Sequence, residues 1–194
     1  MNQNLIATLS PGFVSSTLGK VATVLFGTLL LTLSAKVHVP FWPVPMTMQT
    51  FVVLVIAMSC GPVIAGSTFF AYLIEGAVGL PVFSGTPEQG LGLAYMMGPT
   101  GGYLAGMLAA SVIVGYFGAR GWDRSMPKTF IAMLIGTAVI FLPGYGWLAT
   151  LIGPAKAWML GVLPFVLSET VKVVLATLVV RSGWAWAAAQ GRGR

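Results

Sequence analysis

From Val37 through Ile74 the chain carries no Asp, Glu, Lys or Arg, and none again from Thr129 through Ala155. Apolar stretches of that length belong in hydrocarbon, where a segment must satisfy its own backbone N–H and C=O groups and therefore folds as helix. Composition agrees, with 57% hydrophobic and 7% charged residues, against about 25% charged in a soluble domain. At roughly 20 residues per crossing, 194 residues hold about six spans and no soluble catalytic domain. The expected fold is an all-α integral membrane protein with a single transmembrane domain over residues 1–194.

The spans are expected at about 19–35, 46–60, 63–79, 99–118, 128–143 and 164–182. Gly61-Pro62 breaks the second from the third, and Pro143-Gly144 is expected to end or kink the fifth. Pro164 suits the first turn of the sixth, where its missing N–H does no harm. The first twenty residues lack the pattern of a cleaved signal peptide, so the first apolar run is expected to stay as a helix. Gly102 and Gly106 form a small-xxx-small pair that lets neighbouring helix backbones approach.

The net charge of +6 reports topology rather than nucleic-acid binding. With six spans, Lys20, Arg120, Arg124, Lys128, Arg181, Arg192 and Arg194 fall on one side, and only Lys36 and Lys156 on the other. The positive-inside rule then puts both termini in the cytoplasm. The opposite, outer connections include "KVHVPFWPVP" (36–45), "LPVFSGTPEQGLGLAYMMG" (80–98) and 144–163 with a short helix "AKAWMLGVL". Their aromatic and apolar content reads as a structured cap over an outward-facing ligand pocket.

Several chemistries are excluded. The nearest approach to a phosphate loop, Gly12 through Gly19-Lys20, has the wrong spacing and Val21 in place of Ser or Thr, so no ATP site is expected. One cysteine, Cys60, gives no internal disulfide or thiolate cluster. One histidine, His38, gives no HExxH site and has no carboxylate nearby in sequence. "GPTGGYLAG" (98–106) leads into an apolar helix without a preceding strand, which is the wrong context for dinucleotide binding. No cofactor and no metal are expected.

What remains is "LSETVK". A charge at membrane depth costs about 2.5–3.5 kcal/mol on the insertion scale, and such residues usually serve function. Glu169 and Lys172, about 60° apart on one helix face, are either a self-neutralising structural pair or the polar end-wall of a small-molecule pocket. Pro164 sets the helix start just before them, which puts the carboxylate near the positive end of the macrodipole. Glu75 is a third intramembrane candidate, with an interfacial role as its alternative.

Four segments together resemble the BioY family, the biotin-specific substrate-binding membrane subunit of energy-coupling factor (ECF) vitamin transporters. They are "PVPMTMQTFVVL" (43–54), "AYLIEGAVGLPVFSG" (71–85), "GPTGGYLAG" (98–106) and "GVLPFVLSETVK" (161–172). The resemblance implies a six-helix membrane fold, biotin bound near the outer face, and partnership with a transmembrane coupling (T) subunit and ABC-type ATPases in a bacterial cytoplasmic membrane. Many members have Gly-Asp where this chain has Ser168-Glu169; Glu keeps the carboxylate and adds a methylene.

Biotin suits these residues chemically. Glu169 can accept from a ureido N–H and Lys172 can donate to the ureido carbonyl. Gln49 and Ser84 are candidates for further neutral hydrogen bonds. Trp42, Phe83, Tyr95 and Tyr103 are candidates for an aromatic wall, with ordinary packing as the alternative. Thr23 and Gly27 are the nearest match to the family's small-residue helix-docking pattern. The competing readings are the same architecture tuned to thiamine or riboflavin, and a secondary transporter coupled to protons through Glu169.

Overall fold

The computed structural model describes residues 4–39, 42–88 and 90–191; Arg192 and Arg194 lie outside the described residues. The order is α1 (Leu5–Leu9), α2 (Pro11–Ser15), α3 (Thr17–Lys36), β1 (His38–Val39), β2 (Met46–Thr47), α4 (Gln49–Ala77), α5 (Gly92–Met96) and α6 (Gly101–Ala119). A 3-10 turn (Trp122–Arg124), α7 (Met126–Ile152), α8 (Pro154–Gly161) and α9 (Phe165–Ala189) complete it. Four helices, α3, α4, α6 and α7, are long and apolar enough to cross a membrane, and α8 with α9, bent by 47°, makes a fifth. The chain is thus a mostly helical, multi-pass membrane protein.

The second and third expected spans are two limbs of α4. Gly61 interrupts the helix with φ +80° and ψ 173°, a region open to glycine but strained for residues with a Cβ. Gln49 and Phe83 line one pocket, and the Phe83 ring packs on Gly76. A straight helix would hold Gln49 and Gly76 about 40 Å apart, so α4 folds back on itself at Gly61. Its limbs, residues 49–60 and 62–77, are only ~18 and ~24 Å long, shorter than a ~30 Å hydrocarbon layer.

The expected end of the fifth span at Pro143 is corrected: α7 continues through it to Ile152. Pro143 removes one helical donor, for the Val139 carbonyl, yet close packing against α6 holds the segment. Gly102 lies against Pro143 O and Gly144, and Gly106 against the backbone of Ile140. A Cβ at either glycine would press on backbone, so the small-xxx-small pair does set this contact. α7 and α8 therefore occupy most of the expected connection 144–163.

The helix ends have local causes. Ser16 caps α3 by accepting from Gly19 N at 3.0 Å. Pro127 occupies the first turn of α7, and Pro154 opens α8 after Gly153 at φ +86°. Buried Thr68 and Thr177 bond back to carbonyls one turn earlier, at Ile64 and Val173, which lets hydroxyls sit in an apolar interior.

At one end of the bundle lie Leu5, the Gly61 turn, the 3-10 turn and the end of α9: Gly61 packs against Asn4, Gly115 against Pro62, and Gly183 against Leu5. The other end holds β1–β2, the starts of α4, α6 and α9, and the loop residues 78–88.

Candidate functional site

At that second end, residues from several elements line a pocket that is partly open to solvent. Val44, Pro45 and Thr47 come from around β2, Gln49 and Thr50 from the start of α4, and Phe83 and Ser84 from the loop after it. Tyr95 reaches in from α5, and Tyr103, Leu104 and Met107 from α6. Phe141 of α7 and Phe165 and Glu169 of α9 close the remaining side.

Five aromatic rings, Phe83, Tyr95, Tyr103, Phe141 and Phe165, line the wall, and part of it is braced from behind. Phe83 and Tyr95 stack at 4.9 Å with ring planes 14° apart, and Tyr72 meets the edge of Phe83 at 5.4 Å. The Tyr72 hydroxyl donates to Val82 O at 3.0 Å, fixing the approach to Phe83. Tyr103 donates to Gly161 O at 2.7 Å, tying α6 to the end of α8. Lys36, at the end of α3, donates to Phe83 O at 2.9 Å and to Thr86 O and Oγ1 at 3.0 Å each. That ammonium clamps the short loop presenting Phe83 and Ser84.

Glu169 supplies the charged part of the wall, with Lys172 behind it. Glu169 is 5% exposed and Lys172 6%. Lys172 Nζ donates to Glu169 Oε1 at 2.6 Å, to Thr47 O at 2.6 Å and to Thr50 Oγ1 at 3.3 Å. Thr50 Oγ1 donates in turn to Glu169 Oε1 at 3.1 Å. All three ammonium hydrogens are engaged, and Lys172 lies behind Glu169 instead of lining the pocket. Glu169 Oε2, Gln49 Nε2 and Ser84 Oγ are buried without a hydrogen-bond partner. Buried polar atoms are rarely left in that state, and all three side chains belong to this one pocket.

Of the residues singled out in the sequence, Glu169, Gln49, Ser84, Phe83, Tyr95 and Tyr103 come together here. Trp42 does not: it is 74% exposed and lines a separate hollow with Leu151, Ile152 and Lys156. Glu75 is half-buried outside the pocket, and His38 is exposed, with Nδ1 3.0 Å from Lys36 O. Gly27 is buried against Thr68 of α4, and half-buried Thr23 bonds back to Gly19 O at 2.7 Å. Sequence reasoning missed Thr50, whose only signal was its place beside Gln49 at a helix start. It also missed Lys36 as a loop clamp, and Met107, Phe141 and Phe165 as wall. No group of three or more His, Cys, Asp or Glu suited to a metal occurs among the described residues.

The opposite end holds another buried carboxylate. Asp123 is fully buried; its Oδ2 accepts from Trp184 Nε1 at 3.0 Å, and the Arg124 guanidinium lies 4.7 Å over the Trp184 ring. Burial pushes the Asp123 carboxyl up to about 6, against the opposing Trp184 hydrogen bond and Arg124 charge.

The BioY family model matches residues 4–189. A probable biotin transporter BioY of Pyrococcus horikoshii is 37% identical over 150 residues, covering 77% of this chain and 86% of that protein. The biotin transporter BioY of Thermotoga maritima is 30% identical over 153 residues, covering 78% and 88%. Among solved structures, the S-component for biotin from an ECF-type ABC transporter superposes with a TM-score of 0.73 at 24% identity, covering 86% of this chain and 93% of that one. Its fold is the fold seen here.

Proposed function

Because this chain belongs to the BioY family, we propose that its pocket captures biotin and that the chain is the substrate-binding component of an ECF transporter. The observation that carries the reading is the unpartnered trio of Glu169 Oε2, Gln49 Nε2 and Ser84 Oγ. Biotin's bicyclic urea has two N–H donors and one carbonyl acceptor. Glu169 Oε2 accepts from an N–H, Gln49 Nε2 donates to the carbonyl, and Ser84 Oγ does either. The sulfur-containing ring and the aliphatic arm rest on the Phe83–Tyr95 stack and the apolar side of α6. Lys172 acts through Glu169, holding the carboxylate in place by its bond to Oε1.

Six crossings, with the α4 hairpin counted as two, and both termini in the cytoplasm fit this role. Lys20, Arg120, Arg124, Lys128 and Arg181 cluster at the end away from the pocket, as the positive-inside rule asks of a cytoplasmic face. The pocket then opens outward in a cytoplasmic membrane. The chain does no chemistry and needs no cofactor; a transmembrane coupling subunit and ABC-type ATPases supply the work of release. Binding favours the capped conformation, and the partners drive the opposing step.

Calorimetry on the purified chain with biotin, thiamine and riboflavin tests the ligand. Saturable one-to-one binding of biotin alone is expected; saturation by thiamine without biotin overturns the reading. Proteoliposomes with and without the ATPase partners test the coupling. Uptake that follows the proton gradient and ignores ATP would remove the ECF role.

A further inference from the structure

A ligand with an aliphatic acid arm brings an anion, and an anion buried beside Glu169 would need a cationic donor. Among the described residues, no Lys, Arg or His lines the pocket. An ammonium has three hydrogens, and those of Lys172 are taken by Glu169 Oε1, Thr47 O and Thr50 Oγ1. Those of Lys36 are taken by Phe83 O, Thr86 O and Thr86 Oγ1. Lys156 faces the separate hollow beside Trp42, and His38 is exposed. The pocket therefore offers one carboxylate oxygen, an amide N–H and hydroxyls, with the Glu169–Lys172 pair neutral as a unit. A second carboxylate buried there would be desolvated without compensation.

We infer that the pocket reads the bicyclic urea and leaves the carboxylate unread at its solvated mouth, so the chain takes carboxyl-capped biotin, its amides and small esters, about as tightly as biotin. This rests on the biotin reading above. It deepens that reading by widening the substrate class to neutral derivatives. The aliphatic arm carries the acid away from the urea, and the neutral lining is indifferent to the group at its end. Lys36 is a positioning residue in this account: it shapes the loop bearing Ser84 and does not meet the acid.

The test compares biotin, its primary carboxamide and its methyl ester by competition binding on the full purified chain. The carboxamide is nearly isosteric with the acid, so size does not confound the result. Dissociation constants within about threefold of one another are expected, because losing one charged hydrogen bond would be worth more than that. A carboxamide bound thirtyfold or more weaker than biotin overturns the inference while leaving the biotin reading intact. If biotin itself does not bind, both fall. Lys36→Gln supplies a second arm: a loop clamp predicts that biotin and carboxamide weaken by the same factor. Selective loss of biotin would make Lys36 the carboxylate's partner and overturn the inference.

Discussion

The chain buries a carboxylate at each end of the bundle, and the two are treated in opposite ways. Glu169 receives a full counter-charge from Lys172 on its own helix, one turn away, plus the Thr50 hydroxyl. Asp123 receives a neutral indole N–H from a residue 61 positions distant in sequence, and burial moves its carboxyl up to about 6. Glu169, paired through Oε1, keeps the other oxygen, Oε2, for a guest. Asp123, whose Oδ1 is likewise without a partner, has the indole on Oδ2 and the nearby Arg124 charge to offset its burial, yet its carboxyl is pushed toward the neutral form while it ties the 3-10 turn to α9. The contrast is between a group kept ready to bind and a group used as a clasp.

The largest effect should come from Lys172→Ala, which strands a buried Glu169. Breaking a buried pair from one side costs roughly 3–5 kcal/mol, so thermal unfolding in detergent should drop steeply and biotin binding should vanish. Combining Lys172→Met with Glu169→Gln removes both charges, and most of the thermal stability should return while binding does not. Stability restored together with binding would show that the charges are only structural.

Asp123 should show itself through pH. Its folded value of about 6 lies above the ordinary 3.8, so the folded state holds the proton more tightly. Its stabilising contribution is greatest below about pH 4 and is lost as pH rises through 6. The span is at most about 3 kcal/mol, and Asp123→Asn should flatten the dependence without changing biotin affinity at pH 7.5. A variant that keeps the wild-type pH profile would remove Asp123 as its source.

Glu169→Gln alone should leave a folded protein and weaken biotin tenfold to a hundredfold, the range of a lost charged hydrogen bond, roughly 1.5–3 kcal/mol. Thr50→Val should have the smallest effect, about 1 kcal/mol or fivefold, because Lys172 still holds Oε1. A Thr50 effect as large as that of Glu169 would mean that the hydroxyl touches the ligand itself.

The same contrast explains what could be read in the sequence. Glu169 and Lys172 were legible because helical periodicity alone brings residues three apart onto one face. The Gly102–Gly106 contact was legible for the same reason. Thr50 with Glu169, Lys36 with Phe83, and Asp123 with Trp184 each join distant segments, and no local pattern announces such meetings. Hydropathy marked the apolar lengths well but not where helices end: α7 runs through Pro143 because α6 packs against it, a tertiary cause. Trp42 looked like a pocket aromatic because it sits in a loop that does border the pocket. Val44 and Pro45 reach inward from that loop, and Trp42 is exposed.

Gly61 has a consequence beyond its own turn. The downstream chain inherits its direction from whichever end of the bundle α4 finishes at. A straight α4 would finish at the end opposite the pocket and reverse the sidedness of α6, α7 and α9. With Gly61 at φ +80°, α4 finishes where it began. One glycine thus sets the parity of every later crossing, and through it whether Glu169 and Gln49 face the same compartment.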